Sequence, residues 1–243
     1  MRRPWNMREA VPATLPRARR LGLLTIGQSP RPDLSSILLE ALPADVEVVH
    51  AGVLDGLSRL EIAAAYPLQA GVVPLITRLT DGGVVSLGAL AISAGLQRTV
   101  DLLEARSVDA IVVLCTGEFP ALRTQQALLI ESDHVVATVV SGIVRRSSLG
   151  VIVPLPDQVQ TAKMKWGLHL STAPVLACAS PYEEEPRSLV LAARHLANCG
   201  AHALVLDCMG YSPEHKRALR SAGVHLPIFV SASVAAAAVA SML

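Results

Sequence analysis

Two stretches decide how this chain reads: Ala110-Ile-Val-Val-Leu-Cys115-Thr-Gly117 and Ala203-Leu-Val-Leu-Asp-Cys208-Met-Gly210. In each, a short continuous apolar run of the kind that forms a strand buried on both faces stops at a cysteine, and a turn follows. In open α/β sheets ligands gather just beyond the carboxyl ends of parallel strands. Two thiols at corresponding strand ends predict two similar halves whose cysteines face each other across a cleft.

Working outward, short apolar strands alternate with helix-length segments from Leu21 onward, the signature of parallel βαβ units. The first half predicts strands at Leu21–Ile26, Val46–Ala51 and Ala110–Leu114. Its helices are expected at Leu34–Ala41 with Asp33 as N-cap, after Ser58 and Glu61 at capping-box spacing, and at Leu96–Arg106. Asp81-Gly82-Gly83 is a turn. Val84–Leu87 and Ala89–Ser93 flank Gly88 as a hairpin or bulged strand, an antiparallel edge on an otherwise parallel sheet. Val135–Arg145 is a buried connecting segment. The second half predicts strands at Gly150–Pro154, Pro174–Ala179, Ala203–Asp207 and Leu226–Val230. Helices fall at Asp157–Leu168 with Asp157 as cap, Arg187–Asn198 closed by Gly200, Pro213–Ser221 and Ser233–Leu243. From Gly22 to Cys115 is 93 residues and from Gly150 to Cys208 only 58, so the first half carries an insertion near Val72–Ser93.

Composition narrows the class of protein. The chain has 243 residues, 51% of them hydrophobic and 17% charged, enough for a large buried core and incompatible with a disordered chain. A net charge of +1 and 3% aromatics argue against nucleic acid as a partner. No apolar run reaches the ~18 residues of a spanning helix, so no membrane is expected either. Residues 1–20 hold six arginines, three prolines and one acid, and read as a disordered tail rather than a targeting segment. Four cysteines without an export signal indicate reduced thiols in the cytoplasm. The high apolar fraction is compatible with a homodimer.

Among the candidate site residues, Cys115 and Cys208 carry the chemistry. A thiol beside backbone amides can be brought toward neutrality and serve as acid or base. Removing a proton α to a carboxylate and returning it on the other face needs one such group on each side. Thr116, Gly117 and Gly210 are placed to steady the carboxylate, with Met209 in the second loop. The loop after the first strand offers Thr25, Gln28 and Ser29 as hydrogen-bonding groups and Arg31 as a charge partner. Glu118 is a polar candidate in the cleft, or a first-turn residue on a helix dipole. His215 can point either way. Cys178 reads as core packing and Cys199 as structural. No pair of cysteines has zinc spacing, the histidines are scattered, and no phosphate-binding glycine motif occurs, so neither metal nor nucleotide cofactor is expected.

Leu23-Leu-Thr-Ile-Gly27, Val151-Ile-Val-Pro154, Lys165-Trp166 and Leu206-Asp-Cys208-Met-Gly-Tyr211 together resemble the AroM family. That family is similar to the aspartate/glutamate racemase-like superfamily, which includes hydantoin racemases and arylmalonate decarboxylase. The resemblance implies an α/β fold of two pseudo-symmetric, Rossmann-like lobes with mainly parallel sheets and the active site between them. It implies a first lobe of residues 21–134 plus 226–243 and a second of 135–225, with one cysteine from each lobe and no cofactor. The first loop departs from the racemase pattern, reading Cys-Thr-Gly-Glu where Cys-Asn-Thr is usual. The function implied is a cofactor-independent racemase or epimerase of a small carboxylate. The alternatives are a decarboxylase or cis–trans isomerase of the same fold, or a non-catalytic small-molecule binding protein.

Overall fold

A computed structural model describes residues 19–243. The first sheet joins β1 (Arg20–Thr25), β2 (Glu47–Gly52), β5 (Ala110–Val113) and β6 (Leu128–Glu131) in the spatial order β2-β1-β5-β6, all parallel. The second joins β7 (Leu149–Val153), β8 (Val175–Cys178), β9 (Ala203–Leu206) and β10 (Ile228–Val230) in the order β10-β9-β7-β8, again parallel. Numbered within its own half, each sheet runs 2-1-3-4. The strand order therefore reverses between strands one and three in both, and that switch point is where such sheets bind ligands. Each cysteine follows the third strand of its sheet.

The central strands β1, β5, β7 and β9 are almost wholly apolar because both of their faces are covered. In β1, Leu21 and Leu23 enter one core and Leu24 the other; in β5, Ala110 and Val112 face one way and Ile111 and Val113 the opposite. This is the period-two alternation of a pleated strand acting on two hydrophobic layers. One layer holds α2 (Arg59–Ala65) and α3 (Ala89–Ala105), with Ile92, Leu96, Val100 and Leu103 buried. The other runs continuously from α1 (Pro32–Leu39) and α4 (Ser132–Val144) into the second lobe. There α5 (Val159–His169), α6 (Arg187–Asn198) and α7 (Pro213–Ser221) complete the cover.

Several expectations are corrected. The residues after Gly88 are not a strand: Val84–Gly88 (β4) pairs antiparallel with Pro74–Arg78 (β3) through the Asp81-Gly82-Gly83 turn, and Ala89 begins α3. The hairpin is a separate two-stranded sheet, not an edge of the parallel one. Strand β6 was not expected; it lies immediately before the predicted buried segment, which is α4. Asp33 does not cap α1, because its carboxylate is taken by Arg31, which itself occupies the N-cap. Nor does Asp157 cap α5; it lies in a single 3₁₀ turn, Pro156–Gln158, and makes no cap bond. Cys178 and Cys199 are exposed, not packed. The predicted tail lies outside the described residues up to 18, while Arg20 already belongs to β1.

The C-terminal segment divides. Strand β10 is the fourth strand of the second sheet and so does not join the first lobe, where residues 226–243 were expected. The helix that follows, α8 (Ser231–Ala240), lies against α1 and α4. Its small residues let it approach closely: Ala232, Ala235 and Ala236 are buried, and Ser231 donates to the Leu206 carbonyl at 2.8 Å. No helix among the described residues is long and apolar enough to cross a membrane.

Gly88, where the hairpin passes into α3, packs tightly against the segment that follows α2. A Cβ there would stand 2.2 Å from the Pro67 carbonyl oxygen, whereas one at Gly142 in α4 would meet nothing within 4 Å. Gly88→Ala should therefore destabilise by about 1–3 kcal/mol through overpacking. Gly142→Ala should stabilise by roughly 0.5–1 kcal/mol through helix propensity. Thermal melts of the two variants check this; an unchanged Tm for Gly88→Ala contradicts the packing.

Candidate active site

The four strand ends at the two switch points converge on one cavity of about 230 Å³. Thr25 and Ile26 arrive from β1, Leu114 to Glu118 from β5, Val153 and Pro154 from β7, and Asp207 to Gly210 from β9. The cavity thus takes equivalent positions from both halves. The β3–β4 hairpin covers one side with Leu75, Ile76 and Thr77, and Gln158 of the second lobe donates to the Pro74 carbonyl at 2.9 Å to hold it there. The wall is chiefly apolar, so every polar group in it is conspicuous.

Both thiols line this cavity and share a local geometry. The Gly117 N–H donates to Cys115 Sγ at 3.3 Å, and the Gly210 N–H donates to Cys208 Sγ at 3.4 Å. In each loop the amide two residues on turns back to the sulfur. These bonds favour the thiolate, but not enough to offset burial. Removal from water pushes Cys115 up to about 12 and Cys208 up to about 11. The thiols are not brought toward neutrality, as the strand-end position had predicted, because the surrounding apolar wall outweighs one amide each.

A polar network crosses the lobe boundary between the two sulfurs. Thr116, next to Cys115, donates its hydroxyl to the Asp207 carbonyl at 3.2 Å. Its own carbonyl accepts from Lys165 Nζ at 3.1 Å. Lys165 in turn pairs with Asp207 Oδ2 at 2.8 Å, and the same oxygen accepts from Trp166 Nε1 at 2.7 Å. Trp166 is fully buried in α5, so the carboxylate next to Cys208 is rigidly placed.

The cavity wall holds a second cation. Arg31 is 4% exposed; its Nε and Nη2 donate to the two Asp33 oxygens at 2.8 and 2.6 Å, and its Nη1 donates to Thr77 at 3.1 Å. Burial opposes the Arg31 charge, but Asp33 and the facing Tyr182 hold it protonated. Burial likewise works against the Asp33 charge, yet Arg31 keeps that carboxyl below its ordinary range. Tyr182 lines the cavity, pushed up by burial, with the Arg78 guanidinium 4.9 Å from its ring centre.

Of the residues singled out in the sequence, Thr25, Arg31, Thr116, Gly117, Glu118, Met209 and Gly210 line the cavity beside the two cysteines. Gln28 and Ser29 do not. Gln28 donates to the Leu57 carbonyl and accepts from Thr80, and Ser29 bonds Asp55 through its amide and hydroxyl. Both tie the first loop to the scaffold. His215 closes a capping box with Ser212 at the start of α7. Lys165, Tyr182 and Thr77 were missed. Lys165 and Trp166 are the two large buried side chains of a mostly exposed helix, and in sequence they were marked only as part of the family resemblance.

Two parallel lobes of identical strand order, with a cavity between their switch points, define an α/β protein of two Rossmann-like halves. The chain belongs to the AroM family, whose model, described as AroM protein, matches residues 21–243. Among solved structures it is similar to allantoin racemase from Klebsiella pneumoniae, with 13% identity, TM-score 0.59, and coverage of 92% of this chain and 87% of that one. It is also similar to glutamate racemase from Bacillus anthracis, with 14% identity, TM-score 0.61, and coverage of 93% and 81%. A third is the maleate isomerase of Pseudomonas putida S16, with 10% identity, TM-score 0.58, and coverage of 92% of each chain. A search of curated proteins gave no match. At these identities the likenesses establish the fold.

The raised thiols have a consequence for stability. Below about pH 9 both cysteines are neutral in the folded and unfolded chain alike. Above it the unfolded chain ionises first, so the stabilising difference is lost progressively as pH rises toward about 11 for Cys208 and about 12 for Cys115. The wild type should lose more Tm between about pH 9 and pH 11 than a Cys115→Ala/Cys208→Ala double variant. Equal losses would show that the thiols are not desolvated.

Proposed function

We propose that this protein is a cofactor-independent racemase or epimerase of a small carboxylate, with Cys115 and Cys208 as the two acid/base groups. The observation that carries the reading is the pair of thiols, one from each lobe, on one cavity with matching amide contacts. One sulfur, as thiolate, takes the α-proton. The C–H electron pair passes into the carboxylate as an enediolate, and the other S–H returns a proton to the opposite face. The first sulfur ends as thiol and the second as thiolate, so the next turnover runs in reverse. A thiolate of raised pKa is rare at neutral pH but a correspondingly stronger base, which suits a weakly acidic C–H.

The developing charge needs partners. The Gly117 and Gly210 amides, expected for that task, are engaged with the sulfurs, which leaves Arg31 and Lys165 as the cations at the cavity. An apolar hairpin and a volume about one and a half times that of a 150 Å³ cavity that holds benzene favour a carboxylate carrying one compact apolar substituent. Four free cysteines support residence in a reducing cytoplasm. A second reading, a cis–trans isomerase or decarboxylase using one thiol, is favoured by the different surroundings of the pair: Cys208 has Arg31 near it, whereas Cys115 has Asp133.

Incubation of chiral α-substituted carboxylates in D₂O, followed by mass spectrometry and chiral separation, tests the proposal. Wild type should incorporate one deuterium at the α-carbon with loss of optical purity. Cys115→Ser and Cys208→Ser should each slow racemisation by about 10²–10⁴-fold. Loss of turnover in Cys208→Ser alone identifies the single-thiol reaction, and undiminished exchange in both variants overturns both readings.

A further inference from the structure

Lys165 is an expensive residue to keep where it is. Its side chain is 9% exposed and that of its partner Asp207 3%, and a buried ion pair of this kind is often no more stabilising than apolar residues of the same volume. Asp207 moreover leaves Oδ1 buried without a partner, since Lys165 and Trp166 both address Oδ2. An unsatisfied buried oxygen in a native site calls for a reason other than stability. The position supplies one. The ammonium touches the carbonyl of Thr116, which follows Cys115, and the carboxylate of Asp207, which precedes Cys208, while lining the same cavity as both sulfurs.

We infer that Lys165 is a positioning residue shared by the two thiols: a fixed cation between their loops that stabilises whichever sulfur is the thiolate. The inference rests on the two-thiol reading. A two-base reaction has a bookkeeping problem that a one-base reaction lacks. Negative charge must leave one face of the substrate and reappear on the other, and an unequal field would trap it on one side. A single ammonium tied to both loops favours the thiolate on either.

The surrounding charges make Lys165 distinct. Cys115 is faced by Asp133 at the start of α4 and by Cys208; Cys208 is faced by Asp207 after β9, by Arg31 from the first loop, and by Tyr182 and Tyr211. Arg31 favours the Cys208 thiolate and Asp133 opposes that of Cys115. Lys165 favours both. Its reach is held constant by the Trp166 indole on the shared carboxylate and by the ammonium's own position 5.6 Å from that ring.

The test reads each thiol separately and does not depend on turnover: the pH profile of iodoacetamide labelling at Cys115 and at Cys208, by peptide mass spectrometry. Lys165→Gln keeps a donor for the Thr116 carbonyl but removes the charge. It should slow labelling of both cysteines by about tenfold at fixed pH, moving both profiles alkaline, and Lys165→Arg should restore them. If Lys165→Gln does not fold, Lys165→Gln/Asp207→Asn removes both buried charges together, and the Cys115 profile must still move alkaline. Unmoved profiles, movement of one thiol only in Lys165→Gln, or failure of folded Lys165→Arg to restore them would each overturn the inference. Absence of racemisation by wild type would instead overturn the proposed function, leaving the labelling result to decide the role of Lys165.

Discussion

Thr116 bonds across the lobe boundary in both directions. Its hydroxyl reaches the Asp207 carbonyl and its carbonyl receives the Lys165 ammonium, so the loop that ends β5 is fastened to the loop that ends β9. Every feature of the cavity depends on that fastening. Two sheets of identical order bring their switch points together only if the loops leaving them hold a common register, and Thr116 beside Cys115 ties the two cysteine loops directly, with the Gln158–Pro74 bond holding the hairpin. Without this tie the continuous core through α1, α4 and α8 would still join the lobes, but the two cysteine loops would lose their direct link.

The cavity sets apolar walls against a few paired charges, and the balance decides its chemistry. Arg31 with Asp33 and Lys165 with Asp207 are each neutral as pairs, so they survive burial while presenting a cationic edge to the cavity. The thiols form no ion pair of their own, and desolvation outweighs their amide donors and the nearby Lys165, pushing both up. A carboxylate entering beside the cations would expel the remaining water from two half-buried cysteines. The site is therefore built to hold weak acids that become strong bases, rather than the low-pKa thiolates of nucleophilic cysteines.

Much of this was legible in the sequence where the signal was local. Helices at Arg187–Asn198 and Pro213–Ser221, and the Ser58–Glu61 capping box, have their caps or stops written in adjacent residues. The cysteine-ended strands were legible because burial on both faces leaves an uninterrupted apolar run. Ala89–Ser93 misled for the same reason, since a helix start buried on one side and rich in alanine looks like a strand over five residues. Asp33 and Asp157 have the right type and spacing to cap, but Arg31, two residues before it, took the first and a 3₁₀ turn displaced the second. Gln28 and Ser29 read as ligand groups because nothing nearby in sequence revealed Asp55, Leu57 or Thr80 as their partners. Lys165 stayed hidden because its two partners lie 49 and 42 residues away along the chain.

The central claim is geometric: the two sulfurs address opposite faces of one carbon. A crystal structure of the wild-type protein with an α-substituted carboxylate in the cavity tests it most directly. The account predicts the α-carbon between Cys115 Sγ and Cys208 Sγ, each within about 3.5 Å and the sulfurs roughly 7–8 Å apart, with the carboxylate toward Arg31 or Lys165. Both sulfurs on one face of the substrate, or one of them more than about 5 Å from the α-carbon in the closed site, would contradict it.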